Sequence, residues 1–449
     1  MALSFAFPLA PSSIMYRLLP SSSALVTAIC LLGTMAPISV AQATEVADEI
    51  SRFRFNGYGT LSYTRDNNNR LAQIRDITQR PKDLSVTGPN WLLDSRLGAQ
   101  VAYRLTPDIE AVGQAVLRDQ VSKEAKDYVE LAYLDVQMPS DWRLRLGRVG
   151  YDGFLMSDHR NLGYAYPQTR PPVEFYGWLP MYSINGGDVS KEFSVDDARW
   201  RLRAQAGQYR TVVPIGTTDF PVQLKPLWAL SAQREAGFWR VKAGYTEFDT
   251  TNDPVGLAAV HTGLDQIATL NIPALRAVTD EASLLRRKTA FRDAHFRYVT
   301  LGAAYDDGTW LAQAEIGKTR TDTGMAPSGT TGYLSIARRF NTLTPFVVLS
   351  SSRPGKPLDV PQSDWSALGP SAVGLQQTVY ERVLQGTRVD QDTLSLGVRW
   401  DFHTRAAVKL QLDHSRIRPW GYAIYFTDFA LQAGTTRVNS LTASLDFVF

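Results

Sequence analysis

The segment Phe53–Thr64 reads FRFNGYGTLSYT, and its residues alternate between two kinds along its whole length. The odd-numbered positions carry phenylalanine, glycine, leucine and tyrosine, whereas the even-numbered positions are polar or charged apart from Tyr58. Successive side chains of a β-strand point to opposite faces of the sheet. A strict period of two therefore predicts a strand with one apolar face.

The same alternation recurs along the chain and predicts sixteen strands in all. They cover residues 53–65, 94–105, 109–118, 128–138, 142–149, 182–193, 199–209, 227–234, 238–248, 295–305, 309–318, 330–340, 344–352, 391–401, 406–416 and 439–449. Short connections alternate with long ones, and the long ones cover 66–93, 119–127, 150–181, 210–226, 249–294, 319–329, 353–390 and 417–438. This regular alternation is typical of membrane barrels, which have short turns at one end and long loops at the other.

The two faces of the predicted strands indicate the fold class. One face is apolar along the strands, while the other carries arginine, lysine, glutamine and acidic residues. A soluble barrel would have to fill a sixteen-stranded lumen with its apolar side chains, and that lumen is too wide. We therefore predict an all-β fold: a transmembrane antiparallel up-and-down β-barrel of sixteen strands, with short periplasmic turns and long extracellular loops. A large soluble β-sandwich is the alternative.

The N-terminal region has the features of a secretory leader. Arg17 precedes an apolar segment that runs from Ala24 to Val40 and ends in Ala41-Gln42-Ala43. This pattern predicts a signal peptide over residues 1–43 and a single barrel domain over residues 44–449. The one cysteine, Cys30, lies in this leader. An uncleaved membrane anchor and a lipoprotein attached through Cys30 are the alternatives.

Charge and hydropathy exclude several other classes of protein. The net charge is +3 with no long basic run, which gives no support for a nucleic-acid partner. No apolar run of about 18 residues follows residue 43, so the sequence predicts no membrane-spanning helix. A mean hydropathy of −0.18 is the average over an apolar face and a charged face.

These features together resemble the general porins of Gram-negative bacteria. The last residues, Leu445-Asp446-Phe447-Val448-Phe449, resemble the C-terminal signal of that family, and Leu144–Arg148 resembles the strand that leads into its third loop. The resemblance implies that Phe447 and Phe449 form a signal for the barrel-assembly machinery. It also implies a homotrimer in the Gram-negative outer membrane, surrounded by lipid and lipopolysaccharide. Porins carry no cofactor and are not enzymes, and we expect the same here.

The third long connection, Gly150–Met181, is the candidate constriction of the pore. In the porins that the chain resembles, this loop folds into the lumen and narrows it. We expect the same fold for loop 3 here, with these charged side chains at the narrowing: Asp152, Asp158, His159, Arg160 and Glu174. The alternative is a surface loop that covers the mouth of the barrel.

Arginines are frequent on the predicted inward face of the first seven strands. These pore-lining residues are Arg54, Arg96, Arg104, Arg118, Arg143, Arg145, Arg201 and Arg203. The inward acids are Glu110, Asp135, Glu315, Asp413 and Asp446. Charged groups that line a pore set its ion selectivity. We therefore predict a water-filled channel for small hydrophilic solutes and ions, with a weak preference for anions. Solvated wall arginines without a selective role are the alternative.

Two other functions fit parts of the sequence. Ser157-Asp158-His159 places the residue types of a hydrolase triad side by side, but a triad needs groups that converge in space. The long loops could instead serve an adhesin or receptor. Within these loops, Ala274–Arg287 and Val373–Leu384 have apolar residues at helical spacing, which predicts two helices.

Overall fold

The computed structural model describes residues 52–449 except 69, 83–87, 180, 216–217, 327, 356–361 and 428–431. Residues Arg52–Phe449 form one compact unit. The predicted signal peptide, its cleavage after Ala43 and Cys30 lie outside the described residues.

The unit is a closed antiparallel barrel in which each strand pairs with its neighbours in the sequence. Its sixteen strands are β1 (Phe53–Asp66), β2 (Arg96–Thr106), β3 (Ile109–Arg118), β4 (Val129–Met138), β5 (Trp142–Gly150), β6 (Ser183–Val195), β7 (Ala198–Ile215), β8 (Thr218–Ala236), β9 (Trp239–Thr250), β10 (His295–Asp306), β11 (Trp310–Thr321), β12 (Gly329–Arg338), β13 (Leu343–Pro354), β14 (Val389–His403), β15 (Ala406–Tyr422) and β16 (Thr436–Val448). The predicted fold class and strand number are confirmed.

The barrel is inside out compared with a soluble protein. Leu301 and Leu412 on the outer face expose 54% and 57% of their surface, while Lys409, Thr442 and Asp446 on the inner face are fully buried. Large aromatic side chains near the strand ends are also exposed: Tyr103, Trp142, Trp239, Trp310, Trp400 and Phe449. Apolar side chains facing outward, with aromatic residues at the rims, match a barrel that lies in lipid.

β1 and β16 close the barrel. Beyond the end of β16, the backbone of Phe449 exchanges two hydrogen bonds of 2.9 Å with that of Gly57. The rings of Phe447 and Phe449 cover Gly59 and Gly57, where an added methyl group would lie only 2.3 Å and 2.1 Å from the rings. The glycines on β1 therefore make room for the two C-terminal phenylalanines at the seam.

One predicted loop is wrong. Most of residues 210–226 are strand, because β7 and β8 continue as a hairpin whose last described pair is Ile215 with Thr218. The register shifts between Gly207 and Tyr209, which breaks the period of two from which the strand ends were predicted. The prolines at 214 and 221 also disfavour a strand in the sequence. Beyond the barrel wall, however, the two arms of this hairpin pair only with each other. Each arm therefore has one free edge, where a proline without a backbone N–H group is tolerated.

Three glycines lie side by side across β5, β6 and β7. Gly147 is opposite Gly186, and Gly186 is opposite Gly207. Gly147 and Gly207 have φ angles of +129° and +159°, and a methyl group on Gly186 would lie 2.1 Å from the carbonyl oxygen of Ala206. This close approach of backbones excludes any side chain at the row.

Gly186→Ala is expected to destabilise the barrel by about 1–3 kcal/mol, because the added methyl group must push against rigid backbone. The measurement is the fraction of unheated protein that migrates as the compact barrel on a gel. Gly113→Ala is the matched control, since its methyl group would meet only Val101 at 3.5 Å. Equal behaviour of the two variants would contradict this account of the row.

The long loops contain short helices and one small sheet. The helices are α1 (Ala125–Tyr128), α2 (Val173–Tyr176), α3 (Ala258–Ala268), α4 (Arg276–Lys288) and α5 (Pro370–Thr378), and a π-helical turn, Val379–Val383, extends α5. The two helices predicted from their apolar spacing are thus confirmed. A short strand in the first loop, Leu71–Gln73, pairs with Tyr425–Thr427 of the last loop. Among the described residues, no helix is long and apolar enough to cross a membrane.

α3, α4 and α5 pack around a small apolar core of their own, which contains Leu264 and Ala282. Glu281 is buried at its edge and accepts hydrogen bonds from Trp365 (2.9 Å), Gln376 (2.8 Å) and Tyr380 (3.0 Å). Burial alone would raise the pKa of Glu281, but these donors and the backbone of residue 363 lower it. The ionised Glu281 therefore stabilises the helical cap fully at a pH above the ordinary pKa of glutamate. This stabilisation is lost as the pH falls through the lowered pKa of Glu281.

Glu281→Ala is expected to loosen the helical cap, because buried Trp365 loses its acceptor at about 1–3 kcal/mol and half-buried Gln376 and Tyr380 lose theirs as well. Limited proteolysis should then cut within residues 251–294 or 362–388 while the barrel stays intact. Glu381→Ala, an exposed acid in the same cap, serves as the control. Proteolysis rates that match those of the native chain would contradict the role of Glu281.

Candidate functional site

Loop 3, residues 151–182, lies inside the barrel and crosses it. Its first part contacts β9 and β11: Tyr151 Oη lies 2.7 Å from Thr246 Oγ1, and the backbone N–H of Leu155 donates to Glu315 at 2.8 Å. Its later part reaches the opposite wall, where the N–H of Thr169 donates to Gln411 on β15 at 2.9 Å. The predicted position of loop 3 in the lumen agrees with these contacts.

Aromatic rings from the first and last parts of loop 3 pack together against β10 and β12. Phe154 packs edge-on against Tyr176 at 5.3 Å and against Tyr298 at 5.8 Å, and Phe175 packs against Tyr333 at 5.5 Å, all between ring centroids. All five side chains are buried. Such a ring cluster gives the loop a packed core of its own within the lumen.

Asp152 is an anchor of loop 3. Its carboxylate pairs with Lys242, lies 3.2 Å from Arg203, and accepts a hydrogen bond from Ser231 at 2.8 Å. Burial alone would raise the pKa of Asp152, but Lys242 and Arg203 hold it well below its usual range. The carboxylate is therefore ionised and neutralises cations on the wall.

Glu174 is buried on the far side of the lumen. It accepts hydrogen bonds from Ser350 (2.7 Å), Gln391 (2.5 Å) and Thr393, which lie on β13 and β14. Arg170, four residues earlier in the loop, is also buried. The structure thus places Asp152 and Glu174 against the wall rather than free in the opening.

Arg170 joins three parts of the chain. Its guanidinium lies 2.8 Å from Asp94 and 3.1 Å from Asp413, and it donates to Thr442 at 2.6 Å. All of these groups are buried. Because Asp94 precedes β2 while Asp413 and Thr442 lie on β15 and β16, this arginine fixes loop 3 across the seam of the barrel.

Lys409 on β15 holds the segment of loop 3 before Arg170. Its ammonium group donates to the carbonyls of Gly163 and Gln168 at 2.6 Å and 2.8 Å and lies 3.1 Å from Asp446. Loop 3 is thus fixed at both ends and in the middle, as a constriction of constant width requires.

The wall formed by β4–β6 receives no hydrogen bond or ion pair from loop 3 side chains within the described part of the chain. The arginines on and around this wall are mostly paired. Arg145 makes three hydrogen bonds to Asp188 and is buried, and Arg143 lies 2.5 Å from Asp135 with its side chain 47% exposed. Arg54 lies 2.5 Å from Glu110 and Arg201 lies 3.7 Å from Asp158. Arg104 is exposed, and no ion pair of Arg104 occurs among the described residues.

Cations collect where loop 3 approaches β2 and β3. Arg96 and Arg118 are direct partners across these strands. The guanidinium carbons of Arg118 and Arg160 lie 3.9 Å and 3.5 Å from the ring centroid of Tyr182, on which both stack. Glu130 pairs with Arg118 at 2.9 Å, whereas Arg96 donates to the hydroxyl of Tyr166. Glu130 is the one acid within ion-pair distance of these three arginines among the described residues, and Asp76 accepts a hydrogen bond from the Tyr182 hydroxyl at 3.0 Å.

Two polar cavities lie along β7 at opposite ends of the barrel. The cavity at the loop end is lined by Arg118, Glu130 and Tyr182 among others. The cavity at the turn end is lined by Glu192, Arg199, Arg201, Gln233 and Glu235. The loop-end cavity is also lined by Ser183 and Asn185 on β6, and the turn-end cavity by Glu192 on the same strand.

Loop 3 does not assemble the hydrolase constellation. Ser157 accepts the N–H of Phe154 at 2.8 Å, Asp158 faces Arg201, and no hydrogen bond between Ser157 and His159 occurs in the described region. Burial, aided by Arg240, lowers the pKa of His159 to about 4, so this imidazole is neutral at neutral pH. Among the described residues, no group of His, Cys, Asp and Glu side chains could hold a metal ion.

Several important contacts were not predicted from the sequence. Lys242 and Lys409 lie at inward positions of predicted strands, so the alternation places them in the lumen. The alternation does not show that they hold loop 3, because their partners lie 90 and more than 240 positions away. Tyr182 was predicted as part of a strand, and nothing in its local sequence indicates a stack with two arginines.

Comparisons with known proteins agree with this architecture. No family model and no curated protein matches the sequence. Among solved structures, the outer-membrane channel DcaP of Acinetobacter baumannii is 8% identical with a TM-score of 0.50, and the match covers 89% of this chain and 98% of that one. OmpF of Salmonella typhi, solved with daunomycin, is 14% identical with a TM-score of 0.49 over 88% and 97%. The anion-selective porin from Comamonas acidovorans is 10% identical with a TM-score of 0.45 over 88% and 99%.

At these identities the similarity concerns the fold alone. A closed sixteen-stranded barrel with an outward apolar face and a long loop inside its lumen is the architecture of the outer-membrane porins. The chain has this porin fold.

Proposed function

We propose that this protein is an outer-membrane channel through which small hydrophilic solutes and ions diffuse passively, with a weak preference for anions. The observation that carries the proposal is the arrangement of the lumen. Loop 3 is fixed to β1–β3 and β7–β16, and its described residues make no side-chain bond to the charged wall of β4–β6. Two polar cavities border this wall.

Excess cations on this side support the preference for anions. Arg96, Arg118 and Arg160 cluster at the loop end, where Glu130 is the one acid that forms an ion pair with them among the described residues, and Arg104 is exposed at the turn end. Fixed charges along a narrow passage attract ions of opposite sign and repel the others. The pairing of Arg54, Arg143, Arg145 and Arg203 with acids reduces this field, which favours a weak selectivity over a strong one.

The proposal extends to the surroundings of the barrel. We expect export through the leader, insertion by the barrel-assembly machinery through the signal at Phe447 and Phe449, and assembly as a trimer in the outer membrane. The close fit of both phenylalanines over β1 supports a role of this terminus in closing the barrel.

Purified protein in liposomes tests the channel directly. We expect swelling in solutions of small sugars and amino acids, with rates that fall as the solute grows, because the lumen has a fixed width. Boiled and unfolded protein is the control. Liposomes that stay impermeable to every solute would contradict a channel and favour a receptor that acts through its long loops.

A further inference from the structure

The loop-end cavity has walls from two parts of the chain that flank β5 and β6. Loop 3, which joins these two strands, turns into the lumen and does not stand above them. The chain between β3 and β4 stands on one side and contributes Asp127 to the lining. The extension of β7 past its last pair with β6 stands on the other side and contributes Arg210. The cavity is therefore a polar pocket between two projecting segments at the loop end.

Opposite charges line this cavity without pairing with each other. The guanidinium of Arg148 donates to the side chain of Asn185 at 2.9 Å and to the backbone carbonyl of Lys126 at 3.0 Å, and both acceptors are neutral. Within the described residues, Asp127, Arg148 and Arg210 form no ion pair, although all three line the same cavity. The cations and the acid are thus held apart and remain open to a ligand.

A buried acid that lines the cavity lacks a partner for one of its oxygens. Glu130 is 7% exposed, and its Oε2 pairs with Arg118, whereas its Oε1 is buried without a hydrogen-bond partner in the described part of the chain. Buried polar atoms are normally paired, and an unpaired one is costly. A bound group that donates hydrogen bonds would satisfy this oxygen.

We propose that the loop-end cavity binds small zwitterions, free α-amino acids in particular. The planar guanidinium groups of Arg148 and Arg210 suit a carboxylate, to which they can donate paired hydrogen bonds. An ammonium group has three donors and no acceptor, which suits Asp127 and the unpartnered oxygen of Glu130. A solute with both charges satisfies both sets at once, whereas a simple anion leaves the acids without a partner. This inference rests on the proposed channel function and names the class of solute that the channel would take up.

Isothermal titration calorimetry of the purified barrel in a neutral detergent tests the site with three small probes. L-Alanine carries both charges, propionate carries only the carboxylate, and ethylamine carries only the ammonium group. We expect L-alanine to bind, and we expect propionate and ethylamine to bind about fivefold more weakly, because each lacks one charge contact at about 4 Å.

Two single variants remove one side of the site each. Arg210→Gln and Asp127→Asn should each weaken the binding of L-alanine about fivefold, for the loss of one charge contact. Asp127→Asn should also narrow the difference between L-alanine and propionate, while Arg210→Gln should narrow the difference between L-alanine and ethylamine. The matched control is Glu124→Gln/Arg292→Gln, which removes two exposed charges that do not line the cavity. It should bind L-alanine like the native chain.

Equal binding of L-alanine and propionate would assign the cavity to anions alone and overturn the proposal. Folded protein that does not bind L-alanine, or an equal loss of binding in the control, would also overturn it. Calorimetry does not require conduction, so bilayers that stay silent while L-alanine binds would contradict the channel and leave the site in place. Conducting bilayers without L-alanine binding would overturn the site alone. Migration of unheated protein on a gel shows that each variant is folded.

Discussion

Arg170→Ala is expected to release the second half of loop 3 and to raise the conductance of single channels. The substitution leaves Asp94 and Asp413 as buried carboxylates without their cation and removes a hydrogen bond to Thr442. Removing one partner of a buried ion pair costs about 3–5 kcal/mol, so this variant should show the largest loss of stability. Conductance steps should become larger and noisier, as measured in planar bilayers.

The matched control is Arg199→Ala. Arg199 is also an arginine of the inner wall with an acidic partner, Glu235, but its side chain is 65% exposed. We expect its conductance and stability to remain those of the native chain, because exposed pairs contribute little. If Arg170→Ala conducted with the native step size, loop 3 would not limit the channel.

The double substitution Arg104→Glu/Arg143→Glu is expected to change the ion preference from anions to cations. Both side chains are exposed in the lumen, and the change brings a new acid next to Asp135. Each Arg→Glu substitution changes the wall charge by two units, which alters the energy of an ion passing at about 4 Å by about 2 kcal/mol in water, with opposite sign for chloride and potassium. The reversal potential in a KCl gradient should therefore move toward that of potassium.

The double substitution Arg234→Glu/Arg338→Glu is the matched control. It separates the effect of charge in the lumen from the effect of the total charge of the chain. It changes the net charge of the chain by the same amount, but both residues are on the outer face at the turn end. Its reversal potential should equal that of the native chain. A shift as large as that of the lumen variant would show that selectivity does not arise from the lumen wall.

The strands could be predicted from the sequence because alternation is a local property. Phe53–Thr64 shows its two faces without reference to any other segment, and all sixteen strands were found in this way. The hairpin at 210–226 was missed because a register shift at Gly207 and three prolines interrupt the alternation. A proline is tolerated there because the hairpin extends past the wall, which the local sequence does not reveal.

The lumen could be predicted only in part. The alternation places Lys409 and Asp413 on the inner face, and the resemblance to porins places loop 3 in the pore. The contacts between individual wall residues and loop residues cannot be predicted in this way, because they depend on how the 32-residue loop 3 folds across the barrel. For this reason Asp152 and Glu174 were predicted as groups of the opening, whereas the structure places them in buried contacts with the wall.

The most direct test of a selective channel is the current through the native protein in a planar bilayer that separates two KCl concentrations. The account predicts discrete conductance steps and a reversal potential displaced moderately toward that of chloride. A bilayer that stays silent with folded protein, or a reversal potential close to that of potassium, would contradict it.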